Sequence, residues 1–292
     1  MAACSAFAQT VAIPSDAAFR STVREVRVTF SATDRNDHAV TGLQSSDFAV
    51  VDRDLVVRQF RSFTRTEFTR LDVVVLFDAS QSITPQFRQE LADAVQFLTQ
   101  AVEVPDASVS VIAFRDLKPV TVCSGNCRAM MSGGQFLKIE SGGLTPLYDA
   151  VVEASRQLGR NRDPRVRRVV LVFSDGADTI SLNSFGDALD SALVNDVAVY
   201  TVDVSRQPHN MPGSLVLRSL SVNTGGRYFT VETGSAPVVA AVLEDFHSAY
   251  TVAYKLPSRS SGFHQIRILP SHDLSLRFHC RRGYSYSDTE EN

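Results

Sequence analysis

Two long apolar runs constrain the fold of this chain more than any other feature of its sequence. Residues 71–77 (LDVVVLF) and 168–173 (RVVLVF) are rich in β-branched residues, which is typical of strands buried in a parallel sheet. From residue 71 onwards such strands alternate with segments of helical periodicity, among them Gln86–Val102 and Pro146–Leu158. This alternation predicts an α/β fold, a doubly wound and mostly parallel six-stranded sheet with helices on both faces.

Polar side chains follow the first of these strands directly. Asp78, Ser80 and Ser82 form an Asp-x-Ser-x-Ser loop at its carboxyl end, the edge where open α/β sheets bind ligands. One carboxylate and two hydroxyls are hard oxygen donors of the kind that Mg²⁺ or Mn²⁺ prefers. The alternative is structural, since Asp78 or Ser80 could simply cap the helix that follows.

Two further segments place oxygen donors at strand ends or helix starts. Thr145 ends a Gly-rich loop, Ser141-Gly-Gly-Leu-Thr145, and Asp175 follows the second apolar strand. Each residue also has a structural interpretation. Thr145 could be a helix N-cap, and Asp175 with Gly176 could be an ordinary turn.

In this order and context, the three segments resemble the von Willebrand factor type A domain and its metal-ion-dependent adhesion site. The resemblance covers roughly residues 70–247. It implies a metal site made of Asp78, Ser80, Ser82, Thr145 and Asp175. It further implies that the two serines bind Mg²⁺ (or Mn²⁺ or Ca²⁺) directly, that the aspartates often act through water, and that an open position accepts an Asp or Glu of a partner protein.

The flanks predict a second structural unit. Alternating apolar residues before residue 63 and at 250–255, 263–268 and 274–278 are typical of β-strands. Motifs such as Tyr250/Tyr254 and Arg281-Arg-Gly-Tyr284 resemble those of bacterial secreted proteins that contain this domain. We therefore expect the flanks to form one small β-sandwich with the α/β domain inserted into it. The predicted divisions are a signal-peptide remnant (1–8), an N-terminal β segment (20–68), the α/β domain (69–247), a C-terminal β segment (248–286) and a disordered tail (287–292).

Composition narrows the location and the class of partner. A net charge of −3 argues against nucleic acid. No apolar stretch approaches the length of a membrane-spanning helix. Ala6-Phe-Ala8 resembles a signal-peptidase site, which predicts an exported protein, whether periplasmic, secreted or on the cell surface. Cys123 and Cys127 are spaced to close a small disulfide loop, and two free thiols are the alternative. The sequence does not determine the oligomeric state.

The sequence favours a metal-dependent protein-binding module over an enzyme. The G-x-S-x-G and H-E-x-x-H motifs are absent from the sequence, and no histidine lies in the strand-end segments that would build the site. One alternative is a structural or assembly scaffold without a functional metal. Another is a metal-assisted hydrolase, which would need more carboxylates than this site offers.

Overall fold

The structure, a computed structural model, describes residues 25–66, 70–81, 107–117, 120–124, 127, 141–205, 210–230 and 235–287. The signal remnant, Ser82 and the helix predicted over 86–102 lie outside the described residues. The strands are β1 Glu25–Thr33, β2 Phe48–Asp52, β3 Leu55–Val56, β4 Ser62–Arg65, β5 Arg70–Asp78, β6 Ser108–Phe114, β7 Val120–Cys123, β8 Val166–Ser174, β9 Val197–Asp203, β10 Tyr228–Thr230, β11 Tyr250–Lys255, β12 Gly262–Pro270, β13 Arg277–Cys280 and β14 Gly283–Tyr286. The helices that the described residues form are α1 Leu147–Leu158, α2 Phe185–Val194, α3 Pro212–Thr224 and α4 Ser235–Ser248.

The middle of the chain forms the predicted mostly parallel sheet. Its strand order is β10-β9-β8-β5-β6-β7, and only the edge pair β6 and β7 is antiparallel. Strands β5 and β8 are each slightly longer than the apolar runs that predicted them. The fold class predicted from the strand and helix alternation is confirmed.

Both faces of this sheet are buried, which explains why its strands are apolar at nearly every position. In β5, Val73 and Val75 pack on one face against Val242 of α4. Val74 and Leu76 pack on the other face, against α1, α2 and α3. Burial of each such side chain contributes about 1.5–3 kcal/mol, so these two layers supply much of the stability of the domain.

The flanking strands form the predicted sandwich. Its two sheets have the orders β13-β1-β11-β4 and β14-β12-β2-β3, so each sheet combines strands from before and after the α/β domain. Val28 of β1 pairs with Val252 of β11, and Val50 of β2 pairs with Ile268 of β12. Their side chains belong to one apolar core between the sheets.

The chain leaves the sandwich and returns to it at neighbouring points. Strand β4, before the α/β domain, pairs with β11, which follows it. The Thr66 amide donates a hydrogen bond to the Ala249 carbonyl at 2.8 Å. The insertion therefore leaves the pairing of the sandwich strands continuous.

Two local predictions in the flanks were wrong. The strand predicted at 274–278 begins instead at Arg277, because Asp273 starts a turn in which it accepts hydrogen bonds from the Ser275 and Leu276 amides. Residues 40–43, within the stretch before residue 63 that was predicted as β, form no strand, and the neighbouring bridge between Thr33 and Ala39 is isolated. Of the two alternatives for Cys123 and Cys127, the structure has the disulfide.

Candidate metal-binding site

The predicted donors lie at one edge of the parallel sheet because the strands that carry them are in register. Phe77 pairs with Phe173, so β5 and β8 end side by side. Asp78 is the last residue of β5, and Asp175 directly follows β8. The carboxyl ends of the two central strands therefore place both aspartates at the same edge.

Asp78 is the most buried carboxylate of the predicted set, with 1% of its surface exposed. Its Oδ1 accepts a hydrogen bond from the Ser80 amide at 2.9 Å, and its Oδ2 accepts one from the Ser174 hydroxyl at 2.8 Å. Burial raises the pKa of the Asp78 carboxyl to about 6, the charge of Asp175 adds to the rise, and the bonds from Ser80 and Ser174 oppose it. The carboxylate thus meets neutral donors and one like charge.

The Gly-rich loop before α1 is fixed against the ends of β5 and β6. The Gly142 amide donates to the Ala79 carbonyl at 2.9 Å, and the Asp116 amide donates to the Leu144 carbonyl at 2.8 Å. Gly143 has φ +79°, and a Cβ there would lie 2.0 Å from Oδ1 of Asp116, so the position requires glycine. These contacts hold the buried side chain of Thr145 at the same edge as Asp78.

The loop after β8 is bonded in turn to the start of α1. The Thr145 amide donates to the Thr179 hydroxyl at 2.8 Å, and the Thr179 amide donates to the Thr145 carbonyl at 2.9 Å. Oδ1 of Asp178 accepts from the Tyr148 amide at 3.2 Å. Asp178 thus caps the first turn of α1 from another loop, and Thr179 fixes the preceding Thr145. The N-cap residue is Pro146, so Thr145 is not the N-cap that its structural interpretation proposed.

Asp175 is partly exposed and lies in a tight turn. Its Oδ1 accepts a hydrogen bond from the Ala177 amide at 3.0 Å. Gly176 has φ +77°, and its amide donates to the Ser174 hydroxyl at 3.0 Å. Ser174 therefore connects the Asp175 turn with the carboxylate of Asp78.

The structure thus joins the segments of Asp78, Ser80, Thr145 and Asp175 through hydrogen bonds, whereas Ser82 lies outside the described residues. The sequence did not single out Ser174, Asp116 or Thr179, although all three hold the loops together. No group of three or more His, Cys, Asp or Glu side chains in the described part of the chain is arranged to hold a metal. The predicted set contains only two such residues, Asp78 and Asp175, and its other members are hydroxyls.

These features define a doubly wound α/β domain whose carboxyl edge carries aspartate and hydroxyl side chains, inserted into a β-sandwich. Residues 73–177 match the family model of the von Willebrand factor type A domain, so this part of the chain is such a domain. Domains of this class commonly mediate protein interactions. The finer resemblance of the flanks to bacterial secreted proteins stays a prediction.

Several solved structures are similar to the chain. An aerotolerance-related membrane protein from Bacteroides fragilis is 15% identical, with a TM-score of 0.46, over 60% of this chain and 98% of that one. Proximal thread matrix protein 1 from the mussel byssus is 18% identical, with a TM-score of 0.45, over 67% of this chain and 51% of that one. The pilus adhesin SpaC from Lactobacillus rhamnosus GG is 8% identical, with a TM-score of 0.47, over 82% of this chain and 47% of that one.

The TM-scores are below 0.5, so these structures support no argument about function. The fold is defined by the strand order and the family match. No curated protein matches the chain significantly. Within the described ranges, no helix is long and apolar enough to cross a membrane.

Proposed function

We propose that the von Willebrand factor type A domain binds a divalent cation, Mg²⁺ or else Mn²⁺ or Ca²⁺, through Asp78, Ser80, Ser82, Thr145 and Asp175. The bound cation would supply an open coordination position for an Asp or Glu side chain of a partner protein. The alternative, a scaffold without a functional metal, becomes the conclusion if the chain binds no cation.

One observation carries this proposal, the burial of the Asp78 carboxylate among neutral donors. Its described hydrogen-bond donors belong to Ser80 and Ser174 and are neutral, and the charge of Asp175 is of like sign. A buried carboxylate without a counter-charge is unfavourable by several kcal/mol, and a cation would relieve that penalty.

The chemistry of the neighbouring donors supports a hard cation. Ser80 and Thr145 are both buried and offer hydroxyl oxygens, which suit Mg²⁺. Because hydroxyls are neutral, a site with only two carboxylates leaves much of the positive charge of the cation uncancelled. Such a cation attracts a further carboxylate from outside the chain.

We also propose that the domain binds a partner without catalysing a reaction. Acyl or phosphoryl transfer would need a base within hydrogen-bond reach of the nucleophile. The described partners of Asp78 include no histidine, and His264 and His279 belong to strands of the sandwich. The Cys123–Cys127 disulfide supports an exported location, because disulfides persist in oxidising compartments.

Calorimetric titration of the metal-free full chain with Mg²⁺ and Mn²⁺ tests the cation site. We expect Ser80→Ala to weaken binding by at least about tenfold, or ~1.4 kcal/mol. Ser191→Ala removes a hydroxyl from α2, where it donates to the Val152 carbonyl, and is expected to bind like the wild type. Cation binding that is equal in all three proteins would exclude this site.

Partner binding is tested by capture from the native envelope with Mg²⁺ or with EDTA. We expect a protein that is retained with Mg²⁺, released by EDTA and not captured by Ser80→Ala. Capture that ignores both EDTA and Ser80→Ala would favour the scaffold alternative. Turnover in an esterase and phosphatase screen that Ser80→Ala abolishes would favour the hydrolase alternative.

A further inference from the structure

The start of α3 packs backbone against backbone on the loop that carries Asp175. A Cβ at Gly213 would lie 2.2 Å from the Asp175 carbonyl oxygen, and a Cβ at Gly176 would lie 2.1 Å from the Gly213 carbonyl oxygen. Real Cβ atoms do not approach backbone this closely, so neither position accepts a side chain without movement. Helix α3 and the Asp175 turn are therefore in direct contact.

Strand β9 holds this end of α3 in place. Asp203, the last residue of β9, is fully buried, and its Oδ2 accepts hydrogen bonds from the Ser214 hydroxyl at 2.5 Å and the Tyr228 hydroxyl at 2.8 Å. Its Oδ1 accepts from the Ser205 amide at 2.9 Å. Because Ser214 directly follows Gly213, the Asp203 carboxylate fixes Gly213 relative to the sheet.

The pairing of β9 with β8 fixes the end of β8 relative to Asp203. Asp203 pairs with Ser174, the residue before Asp175. The Asp175 turn is thus held from two sides, by its own strand and by the backbone of Gly213. Its carboxylate is tied to that turn through the Ala177 amide, so a shift of the backbone moves the carboxylate as well.

We propose that Gly213, held by the hydrogen bond between Ser214 and Asp203, positions Asp175 for the cation. This inference rests on the proposed function, since it names the residues that aim one of the predicted ligands. Gly213, Ser214 and Asp203 are positioning residues, because they act through Asp175. The consequence is that the place of α3 governs the affinity of the metal site.

The test compares Gly213→Ala with Gly186→Ala in the full chain. Both glycines are the second residue of a helix, so alanine changes helix propensity equally in the two variants. A Cβ at Gly186 meets only the Ser184 hydroxyl at 3.5 Å, an ordinary contact. Any difference between the variants then comes from the contact with the Asp175 turn.

We expect Gly213→Ala to weaken Mn²⁺ binding at least about tenfold in calorimetry, and Gly186→Ala to bind Mn²⁺ like the wild type. In the metal-free proteins, the backbone amide shifts of Gly176 and Ala177 should move in Gly213→Ala only. Ser214→Ala removes the hydrogen bond to Asp203 without adding bulk. It should also weaken binding, and it replaces Gly213→Ala if that variant does not fold.

Unchanged Mn²⁺ affinity in Gly213→Ala and in Ser214→Ala would overturn the inference, whether or not the amide shifts move. If the wild type binds no cation, the proposed function fails first. The amide shifts then still decide whether Gly213 positions the Asp175 turn: shifts that do not move overturn the inference independently of any metal. The two failures are therefore distinguishable.

Discussion

Asp52 in the sandwich and Asp78 in the parallel sheet are both buried aspartates at the last residue of a strand, yet their partners differ. Oδ1 of Asp52 lies 3.2 Å from Nδ1 of His264, and its Oδ2 accepts hydrogen bonds from Tyr254 at 2.9 Å and Tyr284 at 2.8 Å. Asp78 has the Ser80 amide and the Ser174 hydroxyl. Among the described residues, Asp52 has an imidazole beside it, whereas the hydrogen-bond donors to Asp78 are neutral.

Both ring nitrogens of His264 have hydrogen-bond partners within the chain. Its Nε2 lies 2.8 Å from the Ser260 carbonyl oxygen, which can only accept, so Nε2 carries a hydrogen. Its Nδ1 faces the Asp52 carboxylate. Since both Asp52 and His264 are fully buried, they form a buried hydrogen-bonded pair completed by two tyrosines.

A buried carboxylate that needs no added ligand has its full set of partners within the chain. At Asp52 the partners come from three other strands, and Tyr254 reaches across from the opposite sheet, so the cluster ties the sandwich together. At Asp78, no lysine, arginine or histidine of the described residues forms an ion pair with the carboxylate. The first arrangement is complete within the chain, and the second suits an added cation.

The same substitution at the two aspartates should have opposite effects, and the larger effect is expected in the sandwich. Asp52→Asn replaces one oxygen of a buried carboxyl that bonds Tyr254, Tyr284 and His264, so it breaks a buried polar network. We expect the free energy of unfolding to fall by roughly 3–5 kcal/mol, measured by urea denaturation.

Asp54→Asn is the matched control for this variant. Asp54 forms an ion pair with Arg267 at 2.9 Å, but its side chain is 85% exposed, so the expected change is about 1 kcal/mol or less. If Asp52→Asn were as mild as Asp54→Asn, the Asp52 cluster would not be an important source of stability for the sandwich.

Asp78→Asn should instead stabilise the metal-free protein. At pH 7.5, above the pKa of about 6, the buried Asp78 carboxylate is charged, and asparagine removes that charge while keeping the shape. We expect a gain of about 1–3 kcal/mol in the free energy of unfolding, together with loss of any rise in Tm on addition of Mg²⁺. A loss of several kcal/mol would mean that Asp78 is a structural residue like Asp52.

The elements of the parallel sheet were predictable because each depends on a local pattern. Strands buried on both faces are apolar at nearly every position, so the runs at 71–77 and 168–173 located β5 and β8 to within two residues. The segments of Asp78 and Asp175 were predictable for a related reason, since polar residues that follow such strands lie at the carboxyl edge. The segment of Thr145 was predicted from the resemblance to the family.

The contacts that hold the site together were not predictable, because they join residues far apart in the chain. Ser174 and Asp78 are separated by 96 residues, and Thr179 and Thr145 by 34. The same holds in the sandwich, where Tyr254 and Tyr284 stood out as motif residues. Their shared partner, Asp52, lies 202 and 232 residues away, and only the folded topology identifies it.

Asp203 allows a test with a smaller expected effect. The question is whether position at the sheet edge, or the set of hydrogen-bond partners, explains the raised pKa of Asp78. Asp203 ends the strand beside β8 and is also buried. Burial raises the pKa of the Asp203 carboxyl, but the hydrogen bonds from Ser205, Ser214 and Tyr228 together hold that pKa below its usual value. Two carboxylates at one edge thus have pKa shifts of opposite sign.

A carboxyl whose pKa is lower in the folded protein stabilises the fold at pH values above its pKa in the unfolded chain, about 3.9. This stabilisation is lost as the pH falls through the pKa of the folded protein. At pH 7 we expect Asp203→Asn to lower the free energy of unfolding by about 1 kcal/mol. The difference from the wild type should shrink as the pH falls below about 4, as measured by urea denaturation at several pH values.

For Asp78→Asn, the gain over the wild type should also vanish at low pH, because the Asp78 carboxyl is then protonated. The free energies of unfolding of the two variants should therefore approach that of the wild type from opposite sides. Convergence from the same side would mean that position at the edge, and not the set of donors, determines how these carboxylates behave.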